Sequence, residues 1–128
     1  MSRRHRRLPP GKVPMTSPAR NRLALELHMS VELLLAQPSP DAFNQVSKML
    51  AALDRAGMKC PALEQASSTM CLICDRFERV GKVGACEAEA LALRAAVAGI
   101  DERLPYLGVD AVARAVAEVE AFCALAGA

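Results

Sequence analysis

Apolar residues recur at helical spacing through most of the chain. In the first segment they are separated by four, four and three positions, the spacing of one helix face. That stripe is Leu23, Leu27, Val31 and Leu34, and Leu33 and Leu35 widen it. Ser17 can cap this helix and Pro18 fits its first turn, where a missing N–H costs nothing. The pattern therefore predicts a first helix from Ser17 to Gln37, which Pro38 ends.

Four further helices follow by the same argument. The second begins at Ser39 and Pro40 and ends at Gly57, and the third runs from Pro61 to Gly81. The fourth and fifth cover about 85–104 and 109–126. Their predicted core residues are Phe43, Val46, Leu50, Leu53, Met70, Ile73, Phe77, Leu93, Val97, Ile100, Val112 and Val116. No segment alternates with period two, so we expect an all-α bundle of four to five helices.

The N-terminal segment has a different composition. Residues 1–16 hold three prolines and Gly11, and proline suits neither a helix interior nor a central strand. We expect a basic, disordered or extended tail over 1–16 and one helical domain over 17–128.

Charge is divided unevenly along the chain. The net charge is +2, but residues 1–22 carry seven basic residues and no acid. The remainder has a net charge of −5. The candidate contacts to a polyanion are therefore the tail residues Arg3, Arg4, Arg6, Arg7 and Lys12. Cations that meet phosphates release counterions, so such a tail predicts salt-dependent affinity for nucleic acid.

The cysteines leave three interpretations open. Cys71 and Cys74 form a CxxC pair, and a zinc site could in principle use Cys60, Cys71, Cys74 and Cys86. A redox pair is the second alternative, although no strand precedes this helix. Only single cysteines accompany the pair, and Cys74, Cys86 and Cys123 fall at or beside core positions. We therefore favour thiols packed as small hydrophobic groups, with no metal and no cofactor.

One histidine could take part in catalysis. His28 precedes Glu32 by four residues, so the two could serve as base and orienting group. No nucleophile motif or phosphate-binding loop accompanies them, and we expect a protein that is not an enzyme.

Composition limits the class of protein. Of 128 residues, 52% are apolar and 3% are aromatic, so a core must be built from small aliphatic side chains. No apolar run reaches the roughly 20 residues of a membrane span. The basic N-terminus has no apolar segment behind it, so we expect no secretory signal. With an odd number of cysteines, a reducing cytoplasm is the expected location.

The layout of residues 1–60 resembles small uncharacterised helical proteins of proteobacterial genomes and mobile elements. An arginine-rich, proline-broken tail is followed by RLALELHMSVELLLAQPSPDAFNQVSKMLAALDRAG. The resemblance implies a bacterial cytoplasmic accessory protein and transfers no functional residue.

Three functions remain open. The first is a DNA-associated accessory or regulatory protein that uses its tail. The second is a helical adaptor that pairs with itself or with another protein through a surplus apolar face. The third is a zinc-stabilised helical module.

Overall fold

A computed structural model describes residues 13–127 of the chain. Within this part the chain folds into five α-helices and one 3-10 turn, without a strand, which confirms the all-α expectation. No helix of this part is long and apolar enough to cross a lipid bilayer. The helices are α1 (Ser17–Ala36), α2 (Pro40–Arg55), α3 (Pro61–Val80), α4 (Glu87–Arg103) and α5 (Val109–Leu125), with the 3-10 turn at Leu104–Tyr106.

The first four helices share one hydrophobic core. The pair α3–α4 has the most extensive interface, and α1 and α2 pack against each other and against this pair. Residues with essentially no exposed surface lie at its centre, namely Leu27, Leu34, Val46, Ile73, Leu93, Ile100 and Leu104. The α5 helix instead packs against α2, through a separate small cluster of Ala52, Ala115 and Val119.

Most predicted core positions are confirmed, but two are wrong. Phe77 is 37% exposed and Val116 is 43% exposed. Phe77 lies near the end of α3, beside a shallow groove that it lines with Phe43 and Val83, and no further helix of residues 13–127 covers it. Val116 lines a cleft between α1 and α5, because α5 packs on α2 and leaves this side open.

Helix boundaries follow from local chemistry. Ser39 caps α2 as predicted, accepting a hydrogen bond from the Ala42 N–H at 3.0 Å. In α1 the predicted cap is wrong by one residue, because Thr16 accepts from the Ala19 N–H and Ser17 is already helical. Gly81 ends α3 with φ +76°, a left-handed conformation that glycine adopts without steric cost.

The folded body begins earlier than the predicted domain boundary at residue 17. The side chain of Met15 is buried in the main core. The Val109 N–H donates a 2.7 Å hydrogen bond to the Val13 carbonyl, and Pro14 forms an isolated bridge with Gly108. Residues 13–16 are therefore an extended segment docked on the start of α5, which is one of the two forms predicted for the tail; the rest of the tail lies outside the described residues.

The α3 and α4 helices approach each other closely at one glycine. A Cβ atom built on Gly99 would lie 2.7 Å from the Cβ of Ala62, closer than real Cβ atoms come. Glycine lowers helix propensity by about 1 kcal/mol relative to alanine. Its presence within α4 is explained by this contact, since any larger residue would push the two helices apart.

We predict that Gly99→Ala lowers the free energy of unfolding by about 1 to 3 kcal/mol, because overpacking outweighs the gain in helix propensity. The double variant Gly99→Ala with Ala62→Gly moves the methyl group to the other helix and should recover most of the loss. Denaturant unfolding of both variants beside the wild type measures this. A stabilised Gly99→Ala variant would contradict the close approach.

Candidate interaction surface

The predicted tail contacts lie outside the described residues. Arg3, Arg4, Arg6, Arg7 and Lys12 all precede Val13. The rest of the chain then has eleven basic and 14 acidic residues, a net charge of −3. The net charge therefore favours the tail over the folded body as the place where a polyanion would be attracted.

The four cysteines of the zinc hypothesis do not converge. Cys60 is the N-cap of α3, and Cys71 lies eleven residues further along the same helix, which is about 16 Å along its axis. Sulfurs that share one zinc ion lie within about 4 Å of each other. Among residues 13–127, no three Cys, His, Asp or Glu side chains form a group that could hold a metal ion. The four-cysteine zinc site is therefore wrong.

The cysteines also differ in burial from one another. Cys60 is buried in the main core, whereas Cys74 and Cys123 are partly buried. Cys71 and Cys86 are exposed, so the prediction of a core position for Cys86 is wrong. Cys86 is instead the N-cap of α4.

The CxxC pair is not set up for redox chemistry. Partial burial, together with the nearby carboxylates of Glu78 and Asp75, raises the pKa of the Cys74 thiol. A raised pKa keeps this thiol protonated at neutral pH, whereas disulfide exchange requires a thiolate. The pair also lies in the middle of α3, far from the helix N-terminus that would lower a thiol pKa.

His28 pairs with a residue that the sequence analysis missed. Its Nε2 atom lies 2.6 Å from Oδ2 of Asp101 on α4, and not against Glu32. Glu32 instead accepts two hydrogen bonds from Arg94, at 2.8 and 2.9 Å. The Arg94 guanidinium holds the pKa of Glu32 below its ordinary value.

These two pairs join α1 to α4 at half-exposed positions. Exposed ion pairs are worth at most about 1 kcal/mol each, so they fix the relative position of the helices more than they stabilise the fold. No signal in the sequence reveals them, because the partners are 73 and 62 residues apart. The His28–Glu32 pair considered as a catalytic candidate therefore does not form.

A more buried ion pair joins α3 to α4. Arg76 donates to the carboxylate of Glu89 at 2.5 Å and to the Gly84 carbonyl at 2.9 Å. The other carboxylate oxygen of Glu89 accepts from the Cys86 N–H at 3.0 Å, so it caps α4 as well. Only 8% of the Glu89 side chain is exposed. We call the Arg76–Glu89 pair the clasp. It fixes the loop between α3 and α4, the two helices with the largest interface.

The outer side of α1 exposes three large apolar side chains. Leu25, Met29 and Leu33 are 58%, 62% and 50% exposed. They follow one another at steps of four, so they lie on one face of the helix. That face is opposite the buried stripe of Leu27, Val31 and Leu34. We call Leu25, Met29 and Leu33 the outer face of α1.

Two apolar faces on one helix are unusual for a surface helix. A helix that packs on a single core normally presents charged and polar residues to water. Here the polar residues occupy the two edges between the apolar faces, where His28 and Glu32 meet α4 and Glu26 lines the α1–α5 cleft. One apolar face of α1 is therefore buried in the core, and the other is not covered by any part of residues 13–127.

The other exposed apolar residues are arranged less regularly than those of α1. On α5, Val116, Phe122 and Leu125 are 43%, 64% and 90% exposed. Phe122 and Leu125 share one side at the very end of the helix, and Val116 lies on another side. Leu72 on α3 and Leu91 on α4 are large exposed residues at single positions. Single exposed apolar residues are common on protein surfaces and indicate nothing by themselves.

A cleft of about 220 Å³ separates α1 from α5. Leu23, Val112 and Val116 line its apolar walls. Lys48 and Glu120 also line it, and the Lys48 Nζ atom lies 3.8 Å from Oε1 of Glu120. Its volume is smaller than the roughly 300 to 1,000 Å³ of most small-molecule sites. The outer face of α1 is therefore the better candidate for a functional surface.

No protein-family model, no curated protein and no solved structure matches this chain. The resemblance drawn from residues 1–60 stays a prediction.

We predict that Glu89→Gln lowers the free energy of unfolding by about 2 kcal/mol at neutral pH, the worth of charged hydrogen bonds. The hydrogen bond from Arg76 is the main cause that lowers the pKa of Glu89 in the folded chain. The ionised Glu89 therefore contributes fully to the free energy of unfolding above the ordinary glutamate pKa of 4.5. This contribution is lost as the pH falls through the lowered pKa of Glu89 in the folded chain. Urea unfolding across the acid range should show a shallower pH dependence in Glu89→Gln.

The control for this prediction is Glu87→Gln, an exposed acid in the same first turn of α4. It should keep both the stability and the acid dependence of the wild type. If both variants lost the same free energy of unfolding, the negative charge in the first turn of α4 would be what stabilises this helix, and not the ion pair between Arg76 and Glu89.

Proposed function

We propose that the protein is a non-enzymatic helical binding protein whose outer face of α1 docks an amphipathic helix of a protein partner. The observation that carries the proposal is the exposure of Leu25, Met29 and Leu33 in one row, opposite the core stripe of the same helix. Helices with an apolar row commonly bind in this way, with anchors at steps of three or four residues.

The free energy available at this surface suits binding. Full burial of a leucine or methionine side chain is worth about 1.5 to 3 kcal/mol. These three are half or more exposed in the free chain, so a docked helix would gain about 1 kcal/mol from each. A partner that brings its own apolar row would gain a similar amount from its side chains. A small surface of this kind supports a weak, reversible complex.

The charges along α1 describe the partner further. The first turn has no acid and the last turn has no base, while Arg20 and Arg22 lie near the start and Glu26 and Glu32 lie further on. These charges add to the helix dipole, positive at the N-terminus and negative at the C-terminus. The partner that fits best is a helix that is also basic near its start and acidic further along. It would run antiparallel to α1, so that opposite charges face each other.

The ionisable groups of the folded body support a binding role over catalysis. His28 and Glu32 line a pocket of about 240 Å³ between α1 and α4, but each is engaged in a pair with a residue of α4. Arg76 and Glu89 pair with each other elsewhere, between α3 and α4.

We predict that Met29→Glu with Leu33→Glu leaves the melting temperature within about 2 °C of the wild type, because neither side chain belongs to the core. The same variant should lose most of the fluorescence of an apolar dye such as anilinonaphthalene sulfonate, measured at low chain concentration. Leu72→Glu, which removes a leucine of similar exposure on α3, is the matched control and should retain the dye signal.

Two results would contradict the docking face. Unfolding of the Met29→Glu, Leu33→Glu variant would mean that these side chains belong to the fold. An unchanged dye signal would mean that the accessible apolar surface lies elsewhere.

A second candidate function rests on the charge layout: the tail binds nucleic acid. Five cations in residues 1–12 precede a body of net charge −3, so attraction to a polyanion is concentrated at one end of the chain. Contacts of this kind attach to phosphates without reading sequence.

We predict that the full chain is retained on immobilised heparin and on duplex DNA at low salt, and that deletion of residues 1–12 abolishes retention. Replacing Arg3, Arg4, Arg6 and Arg7 by lysine keeps the charge and should preserve most of the salt dependence. Equal retention of the full and shortened chains would contradict a role for the tail.

A further inference from the structure

We infer that α5 is a lid that opens as one unit while α1, α2, α3 and α4 stay folded, and that its opening exposes an apolar surface on α2. The hinge lies at 107–109, where the chain enters α5. The inference goes beyond the proposed function and does not depend on the outer face of α1.

The first observation is that α5 has a single neighbour. Among the helices of residues 13–127, α5 packs against α2 alone, whereas each of the other four packs against at least two helices. Near the start of α5, Val112 packs against the main core and is only partly buried. The four-helix core therefore keeps most of its contacts when α5 moves away.

The second observation is that little apolar surface holds α5 in place. Its buried side chains are Ala115 and Val119, which pack with Ala52 in a cluster separate from the main core. Each of the other helices buries at least two leucine or isoleucine side chains. Hydrophobic stabilisation grows with the apolar area removed from water, so α5 is attached least firmly. Elements with few buried apolar contacts are the first to open in a folded protein.

The polar contacts between α5 and α2 are exposed. The Arg55 Nη1 atom lies 3.3 Å from Oε1 of Glu118, and the Lys48 Nζ atom lies 3.8 Å from Oε1 of Glu120. Ion pairs of this kind contribute little, because water and salt screen them. They align α5 on α2 and do not prevent it from leaving.

The start of α5 is held more firmly than its end. Leu107, just before the helix, is buried in the main core, and the Val109 N–H donates to the Val13 carbonyl at 2.7 Å. At the other end, Phe122 and Leu125 are mostly exposed. The lid therefore turns about the segment 107–109, and the end of α5 moves farthest.

Opening uncovers apolar side chains of α2. Met49, Ala52 and Leu53 line the cleft between α1 and α5, and Leu53 is only 3% exposed while the lid is closed. We call these three residues the floor. A molecule with an apolar surface gains access to the floor only while the lid is open, and its binding there would hold the lid open.

Hydrogen exchange of the full chain tests the opening. We expect the amides of 113–123 to share one opening equilibrium constant, at least about a hundredfold larger than that of the amides at 68–74 in the centre of α3. Equal constants in the two helices would overturn the lid, because α5 would then open only with the whole fold. A constant that rises steadily toward the end of α5 would also overturn it, because the helix would then fray and not open as one unit.

A substitution in the main core separates opening of the lid from global unfolding. Ile73→Val shortens a fully buried side chain of α3 and should raise the opening constant of the α3 amides about twofold to tenfold. It should leave the constant of the α5 amides unchanged, because the core stays folded while the lid is open. Ile100→Val, at an equally buried position of α4, should give the same result. An increase of equal size in α5 and α3 would overturn the inference, whatever the outer face of α1 binds.

Discussion

The close approach of α3 and α4 at Gly99 and Ala62 is the contact on which the rest of the structure depends. A chain with 3% aromatic residues has few large side chains to fill the space between helices, so its helices must come close together. The α3–α4 interface is the largest in the fold, and the Arg76–Glu89 clasp closes the loop at one end of it. The positions of α1 and α2 follow, since both pack on this pair.

Close packing of the helices around one core also leaves some apolar surface exposed. Four helices of this length close around one core with one side each, and the outer side of α1 is not needed there. In a helix that serves only its own core, that side would be polar. In α1 it carries Leu25, Met29 and Leu33, while the polar residues are moved to the edges. The fold thus explains why α1 has room for a partner, and the sequence of α1 supplies the surface for one.

Local patterns were sufficient to predict the helices and most of the core. Spacings of three and four located Leu27, Val46, Ile73 and Ile100 on buried faces, because a stripe is a property of one helix alone. Proline and glycine set the ends of α2 and α3 for the same reason. Phe77 was assigned to the core wrongly, since its exposure depends on which helix passes over the end of α3. No periodicity within a helix carries that information.

The candidate functional features could not be predicted without the tertiary structure. His28 with Asp101 and Glu32 with Arg94 are distant in sequence, and only the packing of α1 on α4 brings them together. Leu33 and Leu35 were predicted to widen the core stripe of the first helix, but only Leu35 is partly buried against the core. Leu33 is exposed, in one row with Leu25 and Met29. The separation of Cys60 from Cys71 was already implied by the helix predicted from Pro61 to Gly81, because eleven residues span about 16 Å along a helix axis.

The measurement that tests the central claim most directly is the response of backbone amide NMR signals to an apolar dye such as anilinonaphthalene sulfonate. If the outer face of α1 is a docking surface, the dye should shift the amide signals of Leu25, Met29 and Leu33 and leave that of Leu72 unchanged. Shifts confined to other helices, or amide signals of α1 that stay fixed at every dye concentration, would contradict the account.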